Sequence, residues 1–369
     1  MRILITGADG FIGKNLQVRL RESSKFEVST FTRRDNESDL LEKISQADAV
    51  VHLAGINRPK DVAEFSGNLD VTKSLCQAIL ENHKKLKIVF ASSQQAGLDN
   101  PYGHSKRNAE DAFRQLVEDT KGTVAIYRLP GVFGKWCKPN YNSVVATFCH
   151  NLARGMSVEI HSPDAPLNLV YVDDVVESFI NFLTSDAEEE GVLSKEVAPV
   201  YHTTVGKLRD QLAAFKEVRS TLVTERVGTG LTRALYSTYV SYLPVDQFVY
   251  SVPKYGDQRG VFVEMLKTPD SGQFSFFTAH PGITRGGHYH HSKTEKFLVI
   301  NGRAKFGFRH IITDEKIYIE VSGEDPQIVE TIPGWAHDIT NIGMEEMIVM
   351  LWANEIFQRS APDTIASEV

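Results

Sequence analysis

Cysteine is scarce and scattered in this sequence. Only Cys76, Cys137 and Cys149 occur among 369 residues, and none has the spacing of a metal-binding pair. An odd number of dispersed thiols argues against a disulfide framework and is typical of reduced cysteines in a cytoplasmic protein. We therefore expect a cytoplasmic location.

Long apolar runs and an excess of basic residues are also missing. No stretch approaches the ~20 uninterrupted apolar residues that a membrane-spanning helix needs. The chain starts directly with MRILITGADG rather than with a charged and then apolar leader. Lys and Arg total 40 against 47 Asp and Glu, a net charge of −7, whereas nucleic-acid binding favours a basic stripe. We expect neither a membrane span nor a nucleic-acid partner.

The length and composition are those of a multidomain globular protein. A chain of 369 residues exceeds one ordinary core and suits two or three domains. Its hydrophobic content of 42% and charged content of 24% are typical of globular proteins.

The N-terminal segment has the pattern of a dinucleotide-binding turn. Residues 2–6 form an apolar strand pattern, GADGFIG follows, and a helical run begins with Lys14. Gly7, Gly10 and Gly13 therefore lie where a strand turns into a helix. Glycines let the backbone approach a pyrophosphate there, and the helix N-terminus supplies N–H donors.

The segments after this turn alternate between strand and helix patterns. EVSTFTR, ADAVVHLAG, LKIVFASS and TVAIYRLPGVFG read as strands, with a helix over residues 70–83. Such alternation predicts an α/β Rossmann fold with a doubly wound parallel sheet, whose ligands bind at the carboxyl ends of the strands.

The end of the second strand indicates which cofactor is used. NAD-binding folds place an acidic residue there for the 2′-hydroxyl. This chain has Arg33 and Arg34, whose guanidinium groups suit a 2′-phosphate, so we favour NADPH. Two alternatives stay open: the arginines are solvated loop charges, or Asp35 binds the hydroxyl of NAD.

A serine pair and a Tyr-x-x-x-Lys pair indicate a reducing centre. Ser92 and Ser93 end one strand, and Asn100 can cap a helix that places Tyr102 and Lys106 one turn apart. A nearby ammonium favours the phenolate and lowers the pKa of a tyrosine. The tyrosine could then exchange a proton with an oxygen whose carbon exchanges hydride with a nicotinamide.

These motifs together resemble the extended short-chain dehydrogenase/reductase family over roughly residues 1–245. TGADGFIG, HLAG, FASS, YGHSK, RLPGVFG and LNLVYVDDVV follow the family's order. The resemblance implies that Tyr102 is the catalytic acid/base, Lys106 its partner and Ser93 the third catalytic residue. It also implies a nucleotide-sugar pocket near residues 142–160, which read as a helix and then a strand. The residues that we assign to the cofactor site are Gly7, Gly10, Phe11, Ile12, Gly13, Arg33, Arg34, Leu53, Ala54, Tyr102 and Lys106.

A second chemical site is predicted near residue 290, in GITRGGHYHHSKTEKFLVING. His288 and His290 alternate along a strand pattern and therefore share a face, with Glu295 close behind. His337 is the candidate fourth ligand. This N/O set favours a divalent metal, and Zn²⁺ is our choice, although iron, manganese and nickel accept the same ligands. The spacing resembles the two cupin motifs.

Short strand patterns dominate the region after residue 243. VFVEML, GQFSFFTA, EKFLVIN, RAKFGFRH, EKIYIEV and EEMIVMLW are separated by turn residues, which predicts an all-β sandwich or barrel. We therefore divide the chain into a reductase domain with a substrate lobe, residues 1–243, and a metal-binding cupin barrel, residues 244–369. DQRGVFVEML also resembles the opening of nucleotide-sugar 3- and 3,5-epimerases.

The order of a reductase and then a cupin resembles bifunctional enzymes of capsular polysaccharide biosynthesis. That resemblance implies a UDP-4-keto-6-deoxy-N-acetylhexosamine substrate. The cupin would invert C3, and the reductase would then reduce the C4 ketone with NADPH, giving UDP-N-acetyl-6-deoxy-L-talosamine, a precursor of UDP-N-acetyl-L-fucosamine. A homodimer is the expectation from both families. The epimerase base stays open among Tyr289, His291, Lys296 and His310.

Three alternatives to this function remain. The first is a reductase with a structural or ligand-sensing cupin. The second is a redox sensor without turnover, which the intact Tyr102/Lys106 pair disfavours. The third is a cupin dioxygenase, which would need redox-active iron.

Overall fold

The computed structural model describes residues 1–185, 190–252, 254–257, 260–263, 266, 272–355 and 360–369. They form two compact units. Unit 1 consists of Met1–Ser143 and Leu167–Thr203, and unit 2 of Val144–Pro166 and Thr204–Val369. These units differ from the predicted division at residue 243, because residues 144–166 and 204–243 group with the C-terminal strands. The division at residue 243 stays a prediction.

Several helices begin after a residue whose side chain accepts from a free N–H group of the first turn. Asn36 and Asp39 form a capping box for the second helix, and Asn100 accepts a hydrogen bond from Gly103 N for the fourth, with Pro101 at its first position. The helices are α1 (Phe11–Arg21), α2 (Glu37–Gln46), α3 (Ser66–Glu81), α4 (Pro101–Thr120), α5 (Val144–Ala153), α6 (Val172–Thr184), α7 (Val205–Thr221) and α8 (Gly230–Val240), with short 3-10 turns at Val62–Phe65, Gln94–Gly97 and Val245–Gln247.

Unit 1 is built on a parallel sheet whose inner strands are mainly apolar and buried. The strands are β1 (Arg2–Thr6), β2 (Glu27–Phe31), β3 (Ala49–His52), β4 (Lys87–Ser93), β5 (Thr123–Leu129), β6 (Gly131–Phe133), β7 (Pro166–Tyr171), β8 (Gly191–Lys195) and β9 (Tyr201–Thr204). One sheet has the order β2-β1-β3-β4-β5-β8 and a smaller one the order β6-β7-β9. The predicted strand TVAIYRLPGVFG is divided between them at Pro130.

The strand order reverses at β1, because β2 lies on one side of it and β3 on the other. In a doubly wound sheet the ligand binds at such a switch point, outside the carboxyl ends of the strands. Gly7 follows β1 and Leu53 follows β3. The parallel sheet confirms the predicted fold class of the first half.

Unit 2 combines α5, α7 and α8 with antiparallel strands. These strands are β10 (Val249–Ser251), β11 (Lys254–Asp257), β12 (Gly260–Val263), β13 (Gln273–Ala279), β14 (Thr284–Tyr289), β15 (Glu295–Asn301), β16 (Arg303–His310), β17 (Lys316–Ser322), β18 (Gln327–Glu330), β19 (Trp335–Asn341), β20 (Met347–Ala353) and β21 (Ile365–Ala366). Residues 156–160 form no strand, so the strand predicted after α5 is wrong.

Two antiparallel sheets account for most of these strands, in the orders β10-β18-β15-β20-β13 and β17-β16-β19-β14-β21. Phe306, Phe308 and Trp335 are buried, as expected for core residues. The arrangement confirms the cupin-like all-β prediction for the second half. In the segment that resembles epimerases, Gln258, Arg259 and residues 264–265 lie outside the described residues.

A buried ionic cluster joins the helices of unit 2 to its strands. Glu330 accepts hydrogen bonds from Lys296 Nζ, from Tyr236 Oη at 2.9 Å and from Arg219 at 2.9 Å. The side chains of Lys296 and Glu330 are each 1% exposed. Burial by itself would raise the pKa of Glu330, but Lys296 and Arg219 lower it, so the pair stays ionised. Each charge has its partner, as a buried charge requires.

None of the helices in the described part of the chain has both the length and the apolar character that crossing a bilayer requires.

Candidate active site and metal centre

The glycine turn of unit 1 lies against the end of β3. Gly7 has a φ of +68°, and a Cβ there would approach Ala54 N to 2.6 Å, so only glycine fits. The turn therefore brings α1 beside Leu53 and Ala54. Gly10 precedes α1 without a side-chain cap, and Phe11, Ile12 and Gly13 begin the helix, whose first N–H groups lack intrahelical acceptors. These seven predicted cofactor residues lie together.

A buried histidine fixes β3 next to β1. His52 Nδ1 lies 2.7 Å from Thr6 Oγ1, and its Nε2 lies 3.1 Å from Thr72 Oγ1. Burial, with a smaller contribution from Lys106, lowers the pKa of His52 to about 3. The imidazole is therefore neutral at physiological pH and serves as a hydrogen-bonded link between β1, β3 and α3.

The predicted phosphate-binding arginines follow β2. Arg33 and Arg34 are exposed, while the Asp35 carboxylate accepts from Thr32 N at 2.7 Å and from Lys43 Nζ. The Lys43 and Thr32 hydrogen bonds lower the pKa of Asp35 to about 2. Asp35 is thus engaged by Thr32 of its own loop and by Lys43 of α2, whereas Arg33 and Arg34 are exposed.

The first turn of α4 places Tyr102 beside the end of β4. A Cβ on Gly103 would lie 2.2 Å from Gln95 O, so the helix can begin this close to the 3-10 turn after Ser93 only because residue 103 is glycine. Tyr102 forms a side-chain hydrogen bond with Ser93. Ser92 instead donates to Glu110 Oε1 at 2.6 Å. The structure therefore brings Ser93, and not Ser92, to the tyrosine.

The pKa of Tyr102 is raised in this structure, and not lowered as the sequence predicted. Burial raises the pKa of Tyr102 and outweighs the opposing effect of Ser93. Lys106 Nζ lies 6.0 Å from the Tyr102 ring centroid and donates to Ala91 O at 3.0 Å. Burial also lowers the pKa of Lys106 to about 8, so near neutral pH most of this lysine carries its charge.

The predicted metal ligands form one cluster in unit 2. His288, His290, Glu295 and His337 each offer a ligand atom, and these atoms lie within 4.8 Å of one another. Glu295 Oε2 is 3.2 Å from His290 Nε2 and 3.4 Å from His337 Nε2. Ligands at 2.0–2.1 Å around a tetrahedral ion stand about 3.3 Å apart, so these spacings fit a small divalent ion.

The protonation states of the cluster also fit a metal. Burial lowers the pKa of His288 to about 4 and lowers that of His337 as well. Burial would raise the pKa of Glu295, but the neighbouring His290 and His337 rings hold it well below the usual value. Metal binding requires neutral imidazoles and an ionised carboxylate, and these pKa shifts favour both.

Two residues that sequence reasoning missed hold this cluster. Lys293 Nζ lies 2.7 Å from Glu295 Oε1, so the carboxylate faces the histidines through its other oxygen. Asp363 accepts hydrogen bonds from the backbone of residues 291–293. No sequence signal identifies Asp363, because it lies some 70 residues from the loop that it contacts.

A cavity of about 190 Å³ opens onto three of the metal ligands, His288, Glu295 and His337. Among the described residues, its other walls are aromatic and aliphatic apart from Arg285, Gly286 and Asp338.

The four candidate bases are absent from the described lining of this cavity. Lys296 pairs with Glu330, the His310 ring contacts Trp335, and the His291 ring contacts Tyr289. Spacing along the chain could not show which face of the barrel each would occupy.

Comparison with known proteins matches the chain to two families, one over its first half and one over its C-terminal part. Residues 3–193 match the NAD dependent epimerase/dehydratase family. Residues 255–365 match the polysaccharide biosynthesis C-terminal domain. The first match spans about half of the chain and contains every residue predicted to bind the dinucleotide.

Relatives similar over the full chain are also found. The UDP-2-acetamido-2,6-beta-L-arabino-hexul-4-ose reductase of Pseudomonas aeruginosa is 54% identical, covering 100% of this chain and 99% of the relative. The crystal structure of the capsular polysaccharide assembling protein CapF from Staphylococcus aureus is 42% identical, covers 100% of both chains and has a TM-score of 0.68. The UDP-N-acetylglucosamine 4-epimerase of Bacillus cereus, at 22% identity, a TM-score of 0.51 and coverage of 58% of this chain and 82% of its own, shares the fold.

Proposed function

Because this chain belongs to the NAD dependent epimerase/dehydratase family, we propose that it acts on a UDP-4-keto-6-deoxy-N-acetylhexosamine in two steps. Unit 2 inverts C3, and unit 1 then reduces the C4 ketone to give UDP-N-acetyl-6-deoxy-L-talosamine. The similarity to a UDP-hexulose reductase over the full chain supports the substrate class. The observation that carries the two-step proposal is the pairing of a Ser93–Tyr102–Lys106 site with a buried three-histidine, one-carboxylate cluster.

In the reduction, unit 1 supplies orientation and a proton. The nicotinamide, when bound, supplies hydride to C4. The Tyr102 hydroxyl gives its proton to the C4 oxygen, and Ser93 donates a hydrogen bond to the same oxygen. A raised pKa keeps Tyr102 protonated before the reaction, as a proton donor requires. Lys106, one helical turn away, stabilises the phenolate that forms.

In the epimerisation, the buried cluster of unit 2 would hold Zn²⁺. A divalent ion supplies Lewis acidity at the ketone oxygen, which makes the adjacent C3 hydrogen acidic. His288, His290, Glu295 and His337 would hold this ion, and the cavity that opens onto three of them is lined mainly by aromatic and aliphatic side chains. A general base takes the proton from C3, and a general acid returns a proton to the opposite face of the same carbon. Later reduction of the ketone removes this acidity and fixes the new configuration.

Deuterium exchange tests the epimerase step. The full-length protein loaded with Zn²⁺ is incubated with the ketosugar in D₂O without NADPH, and deuterium is located by NMR. We expect deuterium to be incorporated at C3. After a chelator has removed the metal, we expect no incorporation at this carbon. C5 also adjoins the ketone and serves as the internal control for general enolisation. Absence of deuterium at C3 would contradict the epimerase step.

Metal removal also distinguishes the proposal from a reductase with a structural cupin. If the C4-reduced product and its rate of formation do not change when the metal is removed and the fold is intact, the cupin has no catalytic role. If the metal-free protein still reduces the ketone but its product keeps the original C3 configuration, epimerisation requires the metal and reduction does not.

NADPH specificity is the second prediction. Replacing Arg33 and Arg34 by alanine should raise KM for NADPH by about 10²–10⁴-fold, since two charge-assisted hydrogen bonds to the phosphate, each contributing roughly 1.5–3 kcal/mol, would be lost. KM for NADH should change little. The exposed Arg21 provides the control, because its replacement leaves both values unchanged. Equal effects on the two cofactors would instead mean that the arginines do not recognise the 2′-phosphate.

A further inference from the structure

The segment between two of the metal ligands is a short loop, residues 290–294, which we term the ligand loop. It begins with the ligand His290 and leads directly into Glu295, the first residue of β15. Its conformation therefore sets the distance between the His290 imidazole and the Glu295 carboxylate. Whatever holds the ligand loop also determines whether these two groups can converge on one ion.

Asp363 contacts the ligand loop through both its side chain and its backbone. Its Oδ1 accepts from His291 N at 2.8 Å, and its Oδ2 accepts from Ser292 N at 2.7 Å, from Lys293 N at 2.7 Å and from Ser292 Oγ at 3.1 Å. Three consecutive backbone N–H groups thus converge on one carboxylate. Hydrogen bonds to an ionised acceptor are short and strong, so this contact fixes the backbone of the loop.

The carbonyl of Asp363 fixes the orientation of the His290 ring. His290 Nδ1 makes a hydrogen bond with Asp363 O. A carbonyl oxygen only accepts, so Nδ1 carries the proton in this contact. Nε2 therefore presents its lone pair on the side of Glu295 Oε2, 3.2 Å away. Partners of this kind set the tautomer of a metal-ligating histidine and increase its affinity for the ion.

Asp363 is placed by the strand that follows it. In β21, Ile365 and Ala366 pair with Tyr289 and His288 of β14, and Ser367 N donates to Gly287 O at 2.9 Å. The C-terminal strand therefore lies beside the strand that carries His288, while Asp363 contacts the loop that carries His290. Residues 363–367 therefore contact both the strand that carries His288 and the loop that carries His290.

We propose that Asp363 is a positioning residue for the metal centre. It holds the ligand loop so that His290 and Glu295 are already arranged for the ion before it binds. The proposal rests on the metal centre of the proposed function. Outer partners of metal ligands typically change affinity by about 10–100-fold when removed.

The test measures Zn²⁺ binding to the metal-free full-length protein by competition with a chromophoric chelator. For Asp363→Ala we expect Kd to rise by about 10–100-fold. Asp363→Asn keeps the shape, one side-chain acceptor and the backbone carbonyl, so its Kd should be intermediate. Ser367→Ala is the matched control: it removes the Arg309 hydrogen bond to Ser367 Oγ at 2.8 Å and loosens the same strand without touching the ligand loop. Its Kd should stay within about twofold of the wild type, because this variant removes no partner of a metal ligand.

A spectroscopic readout separates positioning from general destabilisation. The Co²⁺-loaded protein reports ligand geometry through its visible absorption bands. We expect altered bands for Asp363→Ala and wild-type bands for Ser367→Ala, even if both variants unfold at lower temperature. Should Asp363→Ala fail to fold, Asp363→Asn decides.

The possible failures are distinguishable. If the wild type binds no Zn²⁺, the proposed metal centre is wrong. If it binds Zn²⁺ and both Asp363 variants bind it equally well with unchanged Co²⁺ bands, the positioning role is wrong while the metal centre stands.

Discussion

Replacing Tyr102 by phenylalanine should lower kcat for ketone reduction by about 10²–10⁴-fold, the range that general acid catalysis contributes. The hydroxyl that hydrogen-bonds to Ser93 is lost, and with it the proton for the C4 oxygen. The ring remains, so its contact with Phe65, at 5.5 Å between centroids, is kept. The measurement is single-turnover oxidation of NADPH with the 4-ketosugar.

The neighbouring serines supply a matched pair for this experiment. Ser93→Ala should also slow reduction, because Ser93 contacts Tyr102. Ser92→Ala should slow it less, since Ser92 contacts Glu110 instead. The Tyr102→Phe variant should still exchange deuterium at C3, because that step belongs to unit 2. Turnover of Tyr102→Phe within tenfold of the wild type would mean that another group supplies the proton.

Replacing Glu330 by glutamine should destabilise unit 2 by about 3–5 kcal/mol, the cost of breaking a buried ion pair. Lys296 would then lack its carboxylate partner while 1% exposed, and Arg219 would lose the same partner. Trp335 and Trp352 lie in unit 2, and Trp136 is the other tryptophan of the chain. Thermal unfolding followed by tryptophan fluorescence in a Trp136→Phe background therefore reports unit 2, and its midpoint should fall by roughly 10 °C.

Two further variants test whether the loss of stability arises because the ion pair is buried. Glu320→Gln removes the exposed pair that Glu320 forms with Arg303 at 3.5 Å and should cost less than about 1 kcal/mol. Lys296→Met in addition to Glu330→Gln should recover part of the lost stability, because no unpaired ammonium is then buried. Equal losses for Glu330→Gln and Glu320→Gln would contradict the role assigned to the buried cluster.

The features that the sequence could predict are those that local backbone geometry fixes. A strand, a glycine turn and a helix follow each other directly at residues 2–21, so the dinucleotide-binding turn could be predicted without any tertiary information. Tyr102 and Lys106 share a helix face because they lie four residues apart. His288, His290 and Glu295 are similarly near one another in the chain, and the fold class followed from the change of hydrophobic pattern.

Predictions that required a choice between neighbouring residues were harder. Ser92 and Ser93 are adjacent, and the contact with Glu110 on α4 decides which of them lies beside Tyr102. The net shift in the pKa of Tyr102 was predicted with the wrong sign, because burial raises it and burial depends on the packing around the phenol, not on sequence spacing.

By itself, the sequence determined which catalytic and ligand types the chain contains and which of them share one turn or one strand. The tertiary structure alone decided what depends on contacts between distant segments: the placement of Lys296 with Glu330 rather than at the metal, and the contact of Asp363 with the ligand loop. The physical reason is that backbone geometry fixes neighbours over a few residues. Contacts across 34 or 72 residues form only when whole strands and helices pack together.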